Sequence, residues 1–131
     1  MEGYIYQNAG PGGNLIVSGL TPSAQYDLYV YSEGDSGCGG RGLSLNANSV
    51  VASTTILANA SANTFSEGQN YLLMHVAANS SGALNIAYSG LYSKEANVNG
   101  FQLVSAPEPV SLGLVGLGSV VLLRRRRATQ A

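Results

Sequence analysis

The chain has 131 residues, 45% of them hydrophobic and only 10% charged, with one His, one Cys and no Trp. One domain is the default at this length, and so little charge beside so much apolar content excludes a disordered chain. A lone Cys excludes an internal disulfide framework and a paired-thiolate zinc site, and one His with one Lys leaves little for imidazole or amine catalysis.

The formal charge of −1 conceals a partition. Residues 1–106 carry six acids (Glu2, Asp27, Glu33, Asp35, Glu67 and Glu95) against two bases (Arg41 and Lys94), a charge of −4. The other four bases form one run, Arg124, Arg125, Arg126 and Arg127. An acidic body argues against a nucleic-acid partner. Charge gathered at one end points to an address or a membrane edge.

In chain order, short apolar segments rich in Tyr, Val, Leu and Ile predict strands at residues 4–7, 14–19, 26–32, 42–46, 50–54, 70–78, 83–89 and 99–105. Several alternate with period two. Leu28 and Val30 share one face, with Tyr29 and Tyr31 on the other. Leu72, Met74 and Val76 share a face, as do Leu84 with Ile86 and Phe101 with Leu103. Gly19-Leu20-Thr21-Pro22-Ser23 breaks one strand before Tyr26, and Asn79-Ser80-Ser81-Gly82 reads as a four-residue hairpin loop. Asn99-Gly100 is a turn dipeptide, and residues 34–42 (GDSGCGGRG) are too glycine-rich for a strand. Eight short strands with turns between them predict an all-β fold, an antiparallel β-sandwich, over residues 1–105.

Candidate chemistry in this body is sparse. His75 falls on the face opposite Leu72, Met74 and Val76, which reads as a polar outer-face residue; no second His or Cys follows it at useful spacing. Cys38 sits among glycines with only His75 as a conceivable base, so a loop thiol is the plainer reading than a nucleophile. Glu33 and Asp35 could offer oxygen ligands to calcium, but the spacing is not that of an EF-hand, and a solvated acidic loop is the simpler account. No carboxylate pair, phosphate loop or dinucleotide fingerprint can be placed. The reading is therefore of a non-enzymatic body that needs no cofactor or metal. Tyr29 and Tyr31 are candidate glycan contacts, because a flat ring face can meet the C–H face of a pyranose; the plainer alternative is an ordinary strand surface.

From Ala106 the text changes to APEPVSLGLVGLGSVVLLRRRRATQA. Pro107, Glu108 and Pro109 stop the last strand, since proline lacks a ladder donor. Residues 110–123 carry no charge, and at ~1.5 Å per residue a helix there spans about 21 Å, short of a ~30 Å hydrocarbon core. Arginine stems extend the apolar reach by snorkelling. A helix packed on the domain should show a polar face, yet only Ser111 and Ser119 are polar here, and the glycines Gly113, Gly116 and Gly118 suit a membrane better than water. The expectation is a single transmembrane helix at 110–123 with the arginines inside the cytoplasm and the body outside.

Pro-Glu-Pro, a short apolar run and an Arg cluster at the C-terminus, together covering residues 106–127, resemble the PEP-CTERM sorting signal of bacterial envelope proteins. The resemblance implies recognition by an exosortase, an integral-membrane cysteine protease, transient anchoring in the lipid bilayer, and delivery to the cell surface, often with exopolysaccharide. The body segments GLTPSAQYDLYVYS, GRGLSLNA, FSEGQNYLLMHVAA, SGALNIAYS and NVNGFQLV, spanning residues 14–105, resemble the galactose-binding-like jelly-roll modules common in such proteins. That likeness implies carbohydrate binding through loops at one end of the sandwich. An exported body needs an export signal, and the opening MEGYIYQNAGPGGN holds neither a basic start nor an apolar stretch. The expectation is a start upstream of Met1 and a jelly roll lacking one or two N-terminal strands.

Overall fold

Strands that alternate apolar and polar residues must bury one face, and two such sheets do so against each other. The computed structural model of the protein describes residues 5–7, 12–32, 42–54, 64–91 and 95–106. These form nine strands: β1 (Ile5–Gln7), β2 (Gly13–Ser18), β3 (Gln25–Tyr31), β4 (Leu43–Ala47), β5 (Val50–Ser53), β6 (Tyr71–Ala77), β7 (Ala83–Gly90), β8 (Ala96–Val98) and β9 (Gly100–Ser105). A four-stranded sheet has the order β2-β7-β4-β5, a three-stranded sheet the order β6-β3-β9, and β1 pairs with β8. Every strand pair is antiparallel. The fold is all-β and sandwich-like, with no α-helix among the described residues. The expected helix at 110–123 lies outside them, as does the whole of 107–131.

The two larger sheets share one core. Leu28 and Val30 of β3, with Leu72, Met74 and Val76 of β6, meet Leu43, Leu45 and Ala47 of β4 and Leu84, Ile86 and Tyr88 of β7. All are buried, as the alternation predicts. Phe101 stands opposite Val30 in the ladder, on the inward side, yet is 46% exposed because β9 is the outer strand of its sheet. Tyr88 needs Gly13 as its cross-strand partner: a Cβ there would come within 2.4 Å of the tyrosine ring.

Two local expectations change. Residues 79–82 do turn the chain, with Asn79 Oδ1 accepting from the amides of Ser81 and Ala83. They do not close a hairpin, because β6 pairs with β3 and β7 pairs with β2 and β4. The turn is a corner between sheets, held by a hydrogen bond from the Leu20 amide to the Gly82 carbonyl at 3.0 Å. Gly82 adopts φ +71°, and a Cβ on it would meet the Leu20 carbonyl oxygen at 2.2 Å. The other change is β8, which pattern reading passes over: Ala96, Asn97 and Val98 are all buried, so this strand has no alternation to detect.

Among the described residues, the one tight hairpin joins β4 to β5 through Asn48 and Ser49, both at positive φ, 46° and 76°. Positive φ at both central positions is the signature of a type I′ turn, whose twist matches the strands it connects. Asn48 also ties this turn to the β6–β7 corner. Its Nδ2 donates to the carbonyls of Ala77 and Ala83 at 2.9 and 3.0 Å, and its Oδ1 accepts from the Asn85 amide at 3.0 Å.

Asn48→Gly keeps the backbone conformation and removes three side-chain hydrogen bonds. Chemical denaturation of this variant should show a loss of about 2–3 kcal/mol. Ser49→Gly relieves an L-residue held in the left-handed region and should stabilise the protein, by up to about 1 kcal/mol after the entropy cost of glycine. A destabilised Ser49→Gly protein would contradict the turn assignment.

Candidate functional site

Burial of Leu28 and Val30 forces the intervening side chains of β3 to the opposite face, and pairing with β6 and β9 extends that face across three strands. Tyr31 stands opposite Tyr71 and Gly100, Tyr29 opposite Leu73 and Gln102, and Asp27 opposite His75 and Val104. The two tyrosines singled out from the sequence thus lie on one outward surface, half-buried by their neighbours.

They belong to a larger cluster. Tyr71 packs against three rings: Tyr29 with centroids 6.3 Å apart and tilted by 32°, Tyr31 at 6.1 Å and 40°, and Phe65 at 6.4 Å edge-on. Phe65, from the segment preceding β6, also meets Tyr31 edge-on at 5.2 Å and is 59% exposed. Tilted and edge-on arrangements are those that aromatic quadrupoles favour. The Tyr31 hydroxyl donates to Gln102 Oε1 at 3.3 Å, joining β9 to the cluster.

The polar end of this face is the Asp27–His75 pair, with Nδ1 to Oδ1 at 2.7 Å. His75 is 77% exposed in its side chain and Asp27 27%. His75 is an outer-face residue, where strand alternation puts it, and its partner across the ladder is a carboxylate, not a nucleophile. An exposed pair of this kind contributes little to stability.

The outer face of the four-stranded sheet differs in chemistry. Ser44, Asn46, Asn85, Ala87 and Ser89 present short polar or small side chains there, with Ile16 and Val51 as exposed apolar residues. A shallow depression of about 270 Å³ lies over Ser44, Asn46, Val51, Ala87 and Ser89. Leu45 and Tyr88 complete its lining, which includes no charged residue.

Among the described residues, no three His, Cys, Asp or Glu side chains gather where a metal could bind. Glu33, Asp35, Cys38 and Arg41 lie outside the described residues, as do Pro107, Glu108, Pro109 and the arginines at 124–127. No helix among the described residues is long and apolar enough to cross a membrane. Sequence reading identified Tyr29 and Tyr31 but missed Tyr71, Phe65, Gln102 and Asp27 as their neighbours. The available signal was the alternation of β6 and β9, which points Tyr71, His75 and Gln102 outward; the register that aligns them with β3 is not local.

Tyr71→Ala removes the hub of the ring cluster and should cost about 1–3 kcal/mol in an unfolding titration, whereas His75→Ala should change stability by less than about 1 kcal/mol. The reverse order of effects would place the stabilising contact of this face in the Asp27–His75 hydrogen bond. Compared with known protein families, with curated proteins and with solved structures, the chain matches none.

Proposed function

We propose that the chain is an exported bacterial cell-envelope protein, in which a non-catalytic jelly-roll body at 1–105 precedes an exosortase-recognised sorting and anchoring signal at 106–127. The observation that carries this reading is the order of three parts at the C-terminus: Pro107-Glu108-Pro109, fourteen uncharged residues, and four consecutive arginines. The apolar run enters the inner membrane, the guanidinium groups hold its end on the cytoplasmic side, and the Pro-Glu-Pro motif is offered to the protease on the other. The body then passes to the surface or the extracellular matrix.

Two structural observations support it. The last ladder contact among the described residues is the Ala106 amide on the Gln25 carbonyl at 3.0 Å, which places a strand end directly before Pro107 in the sequence. Successive strands β2 and β3, β5 and β6, and β6 and β7 each lie in opposite sheets, a chain path in keeping with a jelly roll. A second reading, that the body is a carbohydrate-binding module for exopolysaccharide, is favoured by the outward, half-buried ring cluster around Tyr29 and Tyr31.

The test is fractionation of the chain expressed behind an export signal, with and without residues 110–127, in cells with and without an exosortase. The full chain should sediment with membranes when the protease is absent and shift to a shorter, released form when it is present. Glu108→Ala should block that shift, and the truncated chain should be released in both hosts. A truncated chain that still sediments with membranes, or a full chain released without the protease, overturns the reading.

A further inference from the structure

We infer that the outward face of β6-β3-β9 is a binding platform for a neutral, pyranose-based oligosaccharide lying along the strands; this rests on the carbohydrate-module reading and specifies its site and ligand. The rings occupy one end, where Tyr31, Tyr71 and Phe65 cluster, and Tyr29 continues the surface two residues along β3. The Asp27–His75 pair follows two residues beyond Tyr29. From Tyr31 to Asp27 is four residues, about 13 Å at ~3.3 Å per residue, long enough for a short oligosaccharide instead of a single sugar.

The chemistry of the face matches such a ligand at both levels. Sugars present apolar C–H faces and polar rims, and here a cluster of rings at one end adjoins hydrogen-bonding groups: the tyrosine hydroxyls, the Gln102 amide, the Asp27 carboxylate and the His75 imidazole. Binding sites of mixed apolar walls and a few placed polar groups have this composition. Charge selects within the class. The described residues contain three carboxylates, Asp27, Glu67 and Glu95, and no Lys or Arg. With the Asp27 carboxylate on the platform, hydrogen-bonded to His75, and no Lys or Arg among the described residues, uronate-, phosphate- or sulfate-bearing polymers are disfavoured against a neutral glycan. The site is on a sheet face, distinct from the loop end that the jelly-roll resemblance implies.

The experiment is binding of the full chain, held in a non-glycosidic detergent, to arrayed neutral and uronate-bearing polysaccharides, followed by calorimetry on the strongest hit. We expect binding to a neutral glycan that is insensitive to added salt. Tyr71→Ala and Tyr29→Ala should each weaken it about tenfold. Gln102→Ala should weaken it less, and Tyr71→Phe, which retains the ring and the fold, should bind nearly as wild type. Ile16→Ala, on the outer face of the other sheet, should leave it unchanged. No binding to any glycan overturns the carbohydrate reading and the platform together. Glycan binding that survives Tyr71→Ala, Tyr29→Ala and Gln102→Ala overturns the platform alone. Preference for uronate-bearing polymers overturns the charge argument and with it the ligand assigned here.

Discussion

The structure depends on one shared apolar layer. Leucines, valines, Met74 and Ile86 from β3, β4, β6 and β7 interdigitate between a four-stranded and a three-stranded sheet, and Ala96 and Val98 of β8 join the same cluster. Because side chains alternate along a strand, filling this layer decides the outward set as well. A slip of one residue in β3 would exchange Leu28 and Val30 for Tyr29 and Tyr31 and bring Asp27 into the core. The tyrosine face exists because the leucine face is buried.

The connections follow from the same layer. A chain that must feed both sheets crosses between them, as residues 19–24 and 78–82 do. Asn48 shows how such a crossing is stabilised. The amide of one hairpin residue reaches the carbonyls of two residues flanking the β6–β7 corner, so the tip of the four-stranded sheet is fastened to the chain as it leaves the other. At the opposite end of that sheet, the Thr54 hydroxyl accepts from the Leu43 amide, closing the open end of the β4–β5 ladder.

The two outer faces have separate characters despite similar geometry. One carries short Ser, Asn and Ala side chains with Ile16 and Val51 exposed among them. The other concentrates rings, an amide and the Asp27–His75 hydrogen bond on three strands that are distant in sequence. The described residues meet their surroundings through hydroxyls, amides, carboxylates and one imidazole, and four of the six Lys and Arg residues of the sequence form a single block near the C-terminus. In the proposed arrangement the two ends divide the labour: the arginines hold to the membrane and the tyrosines face the matrix.

The sequence by itself determined the all-β class, eight of the nine strands to within one or two residues, and the inward or outward sense of most side chains. These are local properties: period-two alternation and turn residues act over a few positions. It also carried the outward placement of Tyr29, Tyr31 and His75, and the contrast between an acidic body and a basic end. Only the tertiary structure decided that residues 79–82 are a corner, that β8 exists, and that Tyr71, Phe65 and Gln102 join Tyr29 and Tyr31. A turn looks the same whether its strands pair with each other or with different partners, and a strand buried on both sides has no alternation to read. Register between β3 and β6, some forty residues apart, is set by packing the whole core at once, so the composition of a sheet face cannot be read from any one of its strands.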